Sequence, residues 1–228
     1  MESAAKEPQI KRFVFTSSST AATTPRPNTK FAINADTWNN ETVEQAWAPP
    51  PYEPMRAWAV YGASKTQAEQ AMWKFMEDKK PHFVANAVLP NANFGPILSP
   101  QNQDASTAGW IVTLYKSGPT DMLAGIPPQW CVDVRDDAKL HVAALVDEDV
   151  KSERIFAFAH TVNWNQLLGV MRKLRPQAKI AEDLRDDSKD LSTVTERPRA
   201  VAILKKNFGQ SDWTPLEESI KANIAHLE

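Results

Sequence analysis

"GASKTQAEQAMWKFMEDKKPHFVANAVLP" (residues 62–90) passes from one periodicity to another, and that handover decides the fold class. Between residues 62 and 79, Ala68, Ala71, Met72, Phe75 and Met76 fall at three- and four-residue spacing, which predicts an amphipathic helix. "HFVANAVLP" (82–90) is then a nearly continuous apolar run stopped by Pro90, and reads as a buried strand. Upstream, "RFVFTSS" (12–18) is a second β-rich run, closed by small hydroxyl residues at what should be a polar sheet edge. Strand, helix and strand in this order predict an α/β protein with a parallel sheet.

The pattern continues outward from this core. Residues 21–54 form a proline-rich excursion with a short helix expected at "NETVEQAW". Downstream, "QWCVDV" (129–134) and "RIFAFA" (154–159) read as strands. "RDDAKLHVAALVD" (135–147) reads as a helix with Val134, Ala138, Val142 and Leu145 on one face. Further helices are expected at "AGWIVTLYKSG", at "NWNQLLGVMRKLRP" behind an Asn cap, and at "RPRAVAILKKNFG" with Gly209 as its stop. A last one is expected at "TPLEESIKANIAHL", with Thr214 as cap and Pro215 in the first turn. The organisation expected is one domain over residues 1–228, in which 94–130 and 154–228 contribute a small, mostly helical lobe beside the substrate.

Composition excludes several function classes. With 228 residues, 42% of them hydrophobic, the chain can bury a sizeable core. A net charge of −2 and a pI near 6.1 offer no basic surface for nucleic acid or anionic lipid. The single cysteine, Cys131, permits no internal disulfide, fits a reducing compartment, and reads as a buried small apolar side chain. No apolar run approaches the roughly 20 residues that span a bilayer, and "MESAAKEPQIKR" lacks a signal core. A cytoplasmic protein is expected, with no nucleic acid, membrane or metal among its partners.

The chemistry-bearing residues gather around "VYGASK". Tyr61 and Lys65 stand four residues apart, one helical turn, on the same side. That spacing alone is weak, because chance supplies it and a tyrosine with a lysine stem also packs along a helix. Its neighbours strengthen it. "TSSS" delivers hydroxyls to the carboxyl edge of a parallel sheet, where ligands bind in such folds, and "LPNANFGP" ends the next strand at the same edge. Hydride reduction of a carbonyl needs a proton delivered to the developing alkoxide. A free phenol, titrating near about pH 10, transfers protons poorly at neutral pH, and a neighbouring ammonium brings that step into range.

"FVFTSSS", "VYGASKTQAEQ", "VLPNANFGP" and "WCVDVRDDAKLHVAAL", taken in order, resemble the extended short-chain dehydrogenase/reductase family. They are most similar to its branch of dihydroflavonol reductases and fungal aldehyde or ketone reductases, often labelled NAD-dependent epimerase/dehydratase. The resemblance covers nearly the whole chain and implies a Rossmann-like doubly wound sheet. It implies that Ser18, Tyr61 and Lys65 are catalytic. Cofactor contacts would come from Ser17, Tyr61, Lys65, Pro90, Asn91 and, more weakly, Asn93. It also implies a reaction, NADPH- or NADH-dependent reduction of a small-molecule ketone or aldehyde, with epimerase or dehydratase chemistry of the same fold as the alternative. Asp133 and Arg135 are expected to be structural. His141 is expected to pack on a helix face, having no evident partner in the sequence. Trp110, Met122 and Trp130 would border the substrate or fill the core.

The family's chains open with a strand, a Gly-x-x-Gly-x-x-Gly turn and a helix that hold the cofactor pyrophosphate. None of the seven glycines here stands in that arrangement. The expectation is a truncated cofactor unit, with the strand at 12–18 open on one edge and cofactor binding weakened. An open edge also favours self-association or pairing with a full-length relative, as a non-enzymatic alternative.

Overall fold

A computed structural model describes residues 1–53, 56–101 and 106–227. Pro54 at the end of the 21–54 excursion, and residues 102–105 within 94–130, lie outside them. In chain order the elements are α1 (Glu2–Ala5), β1 (Arg12–Thr16), a 3₁₀ turn (Ser19–Ala21), β2 (Ala32–Ile33), α2 (Asn40–Trp47), α3 (Arg56–Lys79), β3 (Val84–Pro90) and β4 (Ala92–Phe94). There follow α4 (Ser106–Ser117), α5 (Asp121–Ala124), β5 (Gln129–Asp133), α6 (Val134–Val146), β6 (Arg154–Ala157), β7 (His160–Val162), α7 (Trp164–Leu174), β8 (Thr193–Val194), α8 (Arg197–Phe208) and α9 (Leu216–Asn223).

The sheet that organises the molecule is parallel, in the order β1-β3-β6. Helices cover both of its faces, so the central strand β3 is buried on both sides and carries no alternation of polar and apolar residues. Ala85, Ala87 and Leu89 pack with Met72 of α3, Phe156 and Phe158 on one face. Val88 packs on the other with Leu140, Ala143 and Ala144 of α6 and Ile203 and Leu204 of α8. Asn86 is the polar interruption. Its amide nitrogen donates to the carbonyls of Ala144 and Val150, and its oxygen accepts the Glu153 amide, so burial costs it no partner.

The expected row on α6 points the wrong way. Val134, Val142 and Leu145 are exposed, and Leu140, Ala143 and Ala144 face the sheet instead. Both rows have helical spacing, so periodicity could not choose between them.

A second sheet, β4-β5-β7, holds β5 parallel to β4 and antiparallel to β7. It underlies a separate core in which Phe94, Ile111, Leu114, Leu123, Leu168 and Ile220 meet. The "NANF" segment that follows β3 is therefore partly strand. Asn163 caps α7 with a reciprocal capping box to Gln166, and Gly209 ends α8 at φ 67°. Thr214 does not cap α9: its hydroxyl and amide both bind Asp136, and Pro215 takes the cap position. Among the described residues no helix is long and apolar enough to cross a membrane.

Candidate active site

The site is built where β1 ends. The ladder to β3 continues one residue past the strand, through the Ser17 amide to the Val88 carbonyl at 2.8 Å. Ser18 then turns the chain. Its backbone is extended, and its Oγ accepts the Thr20 amide at 3.2 Å and the Thr20 hydroxyl at 3.0 Å, capping the 3₁₀ turn. With its lone pairs so occupied, the Ser18 hydroxyl retains its hydrogen for donation. The turn is tied to the excursion by Asn39, the cap of α2, which donates through Nδ2 to Thr20 O and through its amide to Ala21 O.

Helix α3 brings the Lys65 ammonium to this edge and carries Tyr61 one turn before it. Its buried stripe is Ala59, Gly62, Ala63, Thr66, Glu69 and Met72. Ala68 and Ala71, expected inside, are exposed. Polar Thr66 and Glu69 take their place, Thr66 by bonding back to the Gly62 carbonyl at 2.8 Å. Gly62 is required by close packing: a Cβ there would stand 3.0 Å from Thr42 Oγ1 and 3.1 Å from both Thr42 carbons, so α2 lies tight against the turn that bears Tyr61.

Lys65 Nζ donates to the Thr16 carbonyl at 3.1 Å and lies 5.8 Å from the centre of the Phe15 ring. That bond uses one of three donors and leaves two for a ligand. Tyr61 is 44% exposed, and its phenol oxygen has no hydrogen-bond partner among the described residues. Tyr61 therefore lies outside the core, one turn from a tethered ammonium.

Ser17 behaves differently from Ser18. It is 2% exposed, and its hydroxyl donates to Glu69 Oε2 at 2.6 Å. The Ser17 hydroxyl, expected at the cofactor, is thus engaged by Glu69. Glu69, itself fully buried, also accepts from Arg154 Nε at 2.7 Å and from Trp73 Nε1 at 3.1 Å. Arg154 lies 3.9 Å from the centre of the Trp38 ring and donates to the carbonyls of Ala35 and Thr37. Sequence reasoning missed this pair. The signal was present as a charged residue on the helical stripe at Glu69 and an arginine opening an apolar strand.

Pro90 closes β3 opposite Ala157, two residues beyond the Thr16–Val88 pair, and so lies past the same edge as Ser17 and Ser18. Asn91 Oδ1 accepts the neighbouring Ala92 amide, and Asn93 exchanges backbone bonds with the Thr107 hydroxyl of α4. None of these bonds reaches Ser18, Tyr61 or Lys65. The Asn93 Oδ1 is buried without a partner among the described residues.

Asp133 caps α6 through the Arg135 amide and holds the Arg135 guanidinium by two bonds of 2.8 and 2.9 Å. Burial pushes its carboxyl up, and the Arg135 bonds outweigh burial and hold it below the usual range. Gly95, at φ 119°, sits where a Cβ would strike that carboxylate at 3.0 Å.

His141 has the partners the sequence did not reveal. Its Nε2 meets Thr16 Oγ1 at 2.9 Å, and its Nδ1 meets the Asp137 carbonyl at 2.9 Å and carboxylate at 3.4 Å. Asp137, four residues back on the same helix, was overlooked.

Trp110 and Trp130 both make packing contacts. Trp110 stands edge-on to Trp164, and Trp130 packs on Phe158 with its Nε1 bonded to Ser192. Met122 is exposed. A cavity of about 300 Å³ is lined by Ile126, Trp164, Leu184 and Arg185, and does not include Tyr61 or Lys65.

No protein-family model matches the chain. Over 222 residues, 97% of this chain, it is 40% identical to aldehyde reductase 2 of Sporidiobolus salmonicolor. Over 220 residues it is 43% identical to the NAD-dependent epimerase/dehydratase terH of Aspergillus terreus. The chain is thus similar to the aldehyde reductases and NAD-dependent epimerase/dehydratases of the extended short-chain dehydrogenase/reductase family. Its parallel sheet with helices on both faces is the Rossmann-like architecture of that family. Gre2 from Candida albicans in complex with NADPH superposes with a TM-score of 0.75 at 25% identity, over 95% of this chain and 64% of that one. The chain likewise spans 64% of the length of the two curated relatives.

Proposed function

We propose that the chain carries the proton-transfer side of an NADPH- or NADH-dependent reduction of an aldehyde or ketone to an alcohol. The observation that supports this is a tethered ammonium, Lys65, and a hydroxyl with its hydrogen to spare, Ser18, at one sheet edge, with the exposed tyrosine Tyr61 one helical turn from the ammonium. Aldehyde and ketone reduction is named in relatives of the same family, and both nucleotides are represented among them.

These groups fit a nicotinamide with a carbonyl beside it. A reduced nicotinamide, when bound, supplies the hydride that adds to the carbonyl carbon. Ser18 donates to the carbonyl oxygen and fixes its approach. Tyr61 gives its phenolic proton to that oxygen as the C=O bond becomes C–O. Lys65 stabilises the phenolate left on Tyr61, and its spare donors are suited to ribose hydroxyls. Pro90 supplies an apolar wall at the same edge. The buried, unpaired Asn93 oxygen is an acceptor suited to an amide donor.

The test is to titrate NADPH and NADH against the 228-residue chain, reading nicotinamide fluorescence and the melting curve, and to assay an aromatic aldehyde. Tyr61→Phe should keep cofactor binding and lose about 100-fold or more in turnover. Turnover retained in that variant removes the assignment of Tyr61.

A second reading rests on β1, which pairs with β3 and has no strand on its other side among the described residues. In this reading the chain associates through that edge with a relative or a second copy. Light scattering decides: a monomer at all concentrations, alone and mixed with a full-length relative, ends it.

A further inference from the structure

Three consecutive residues at the end of β1 are each tied by a side chain, or by a bond to one, to a neighbouring element. Thr16 meets His141 of α6 and Lys65 of α3, Ser17 meets Glu69 of α3, and Ser18 caps the turn that follows. We propose that the Ser17–Glu69 hydrogen bond positions the Ser18 hydroxyl, with Glu69 as its anchor. The inference rests on Ser18, Tyr61 and Lys65 forming the proton-transfer site.

Helical geometry places the anchor. Tyr61, Lys65 and Glu69 recur every four residues, and each such step rotates by about 40° around the helix axis. The row therefore walks from exposed Tyr61 through half-buried Lys65 to fully buried Glu69. One rigid helix presents the proton donor outward and grips the serine strand inward.

The grip is complete at both ends. Ser17 has its amide on Val88 and its hydroxyl on Glu69, at 2.8 and 2.6 Å, so neither polar group is loose. Glu69 cannot swing, because its other oxygen holds Arg154 and Trp73. Arg154 is clamped in turn by Trp38 and by two carbonyls of the excursion. Ser18 follows Ser17 directly, so the direction of its hydroxyl is set by a neighbour that cannot move. Glu69 touches neither substrate nor cofactor in this arrangement and acts through Ser17.

Ser17→Ala removes the tether and leaves the Glu69–Arg154 pair in place, so it is the variant expected to fold. Glu69→Gln and the double variant complete a cycle. In carbonyl reduction, each single variant should lower kcat about tenfold or more with KM within about twofold, and the double should fall no further than the worse single. Independently of turnover, the Thr20 amide, which bonds Ser18 Oγ, should exchange its hydrogen about tenfold faster in Ser17→Ala. Wild-type exchange at Thr20, or kcat unchanged in a folded Ser17→Ala, overturns the proposal. If the wild-type chain reduces no carbonyl, the proposed function fails, and the Thr20 measurement alone decides the positioning.

Discussion

Lys65 on α3 and Thr16 at the end of β1 are joined by a 3.1 Å hydrogen bond from Nζ to a backbone carbonyl. The ammonium is therefore tethered to the backbone of the sheet. Lys65→Met should lose both charge and tether, with turnover falling about 100-fold or more and nicotinamide binding weakened. Lys65→Arg keeps the charge, but its planar fork does not reproduce a compact three-donor head, so recovery should be partial. Steady-state kinetics with fluorescence titration of the cofactor measures both, and full activity in Lys65→Met would remove the lysine from the mechanism.

Arg154 and Glu69 form a buried ion pair whose side chains are 6% and 0% exposed. Removing one partner leaves a charge in the core without compensation, which costs about 3–5 kcal/mol. Arg154→Ala should therefore lower the urea midpoint sharply. The paired replacement Arg154→Met with Glu69→Leu should recover much of that loss, because it removes both charges together. Equal destabilisation by the single and paired changes would show that packing, not the unpaired charge, sets the cost.

The Asp147 carboxyl is held well below the usual range, first by the Lys206 ammonium, then by Asn207 and the Asp149 amide. A depressed folded-state value contributes stability above the unfolded value, about pH 4, and that stability is lost progressively as pH falls from there through the lower folded-state value. Denaturant midpoints measured downward from neutral pH should decline in acid, and Lys206→Met should flatten the decline. An unchanged acid slope in that variant would assign the sensitivity to other carboxylates.

His141 runs the opposite way. Burial lowers its tendency to protonate, and the Asp137 carboxylate and carbonyl outweigh burial, so its value lies above the ordinary 6.5. Stability from the charged ring is present below that ordinary value and is lost as pH rises through the higher folded-state one. The wild type should melt higher at about pH 6 than at about pH 8.5, and His141→Asn should narrow the difference.

The groups of the proposed site were readable in the chain. Tyr61, Lys65 and Ser18 stand in local segments whose order announces strand, loop, helix and strand, and each segment's secondary structure follows from its own periodicity. The second sheet was less visible, because β4 and β7 are three residues each and make sense only when laid beside β5.

What tertiary structure alone decided is which side of a helix faces inward and which polar residues are safe to bury. Helical spacing marks the apolar positions of α3 and α6, yet the core took Glu69 over Ala68 and Ala143 over Val142. A buried carboxylate is unfavourable until a cation meets it, and the cation that meets Glu69 stands 85 residues away, on a strand brought alongside by the sheet. Local pattern names the candidate groups. Only long-range pairing holds them still.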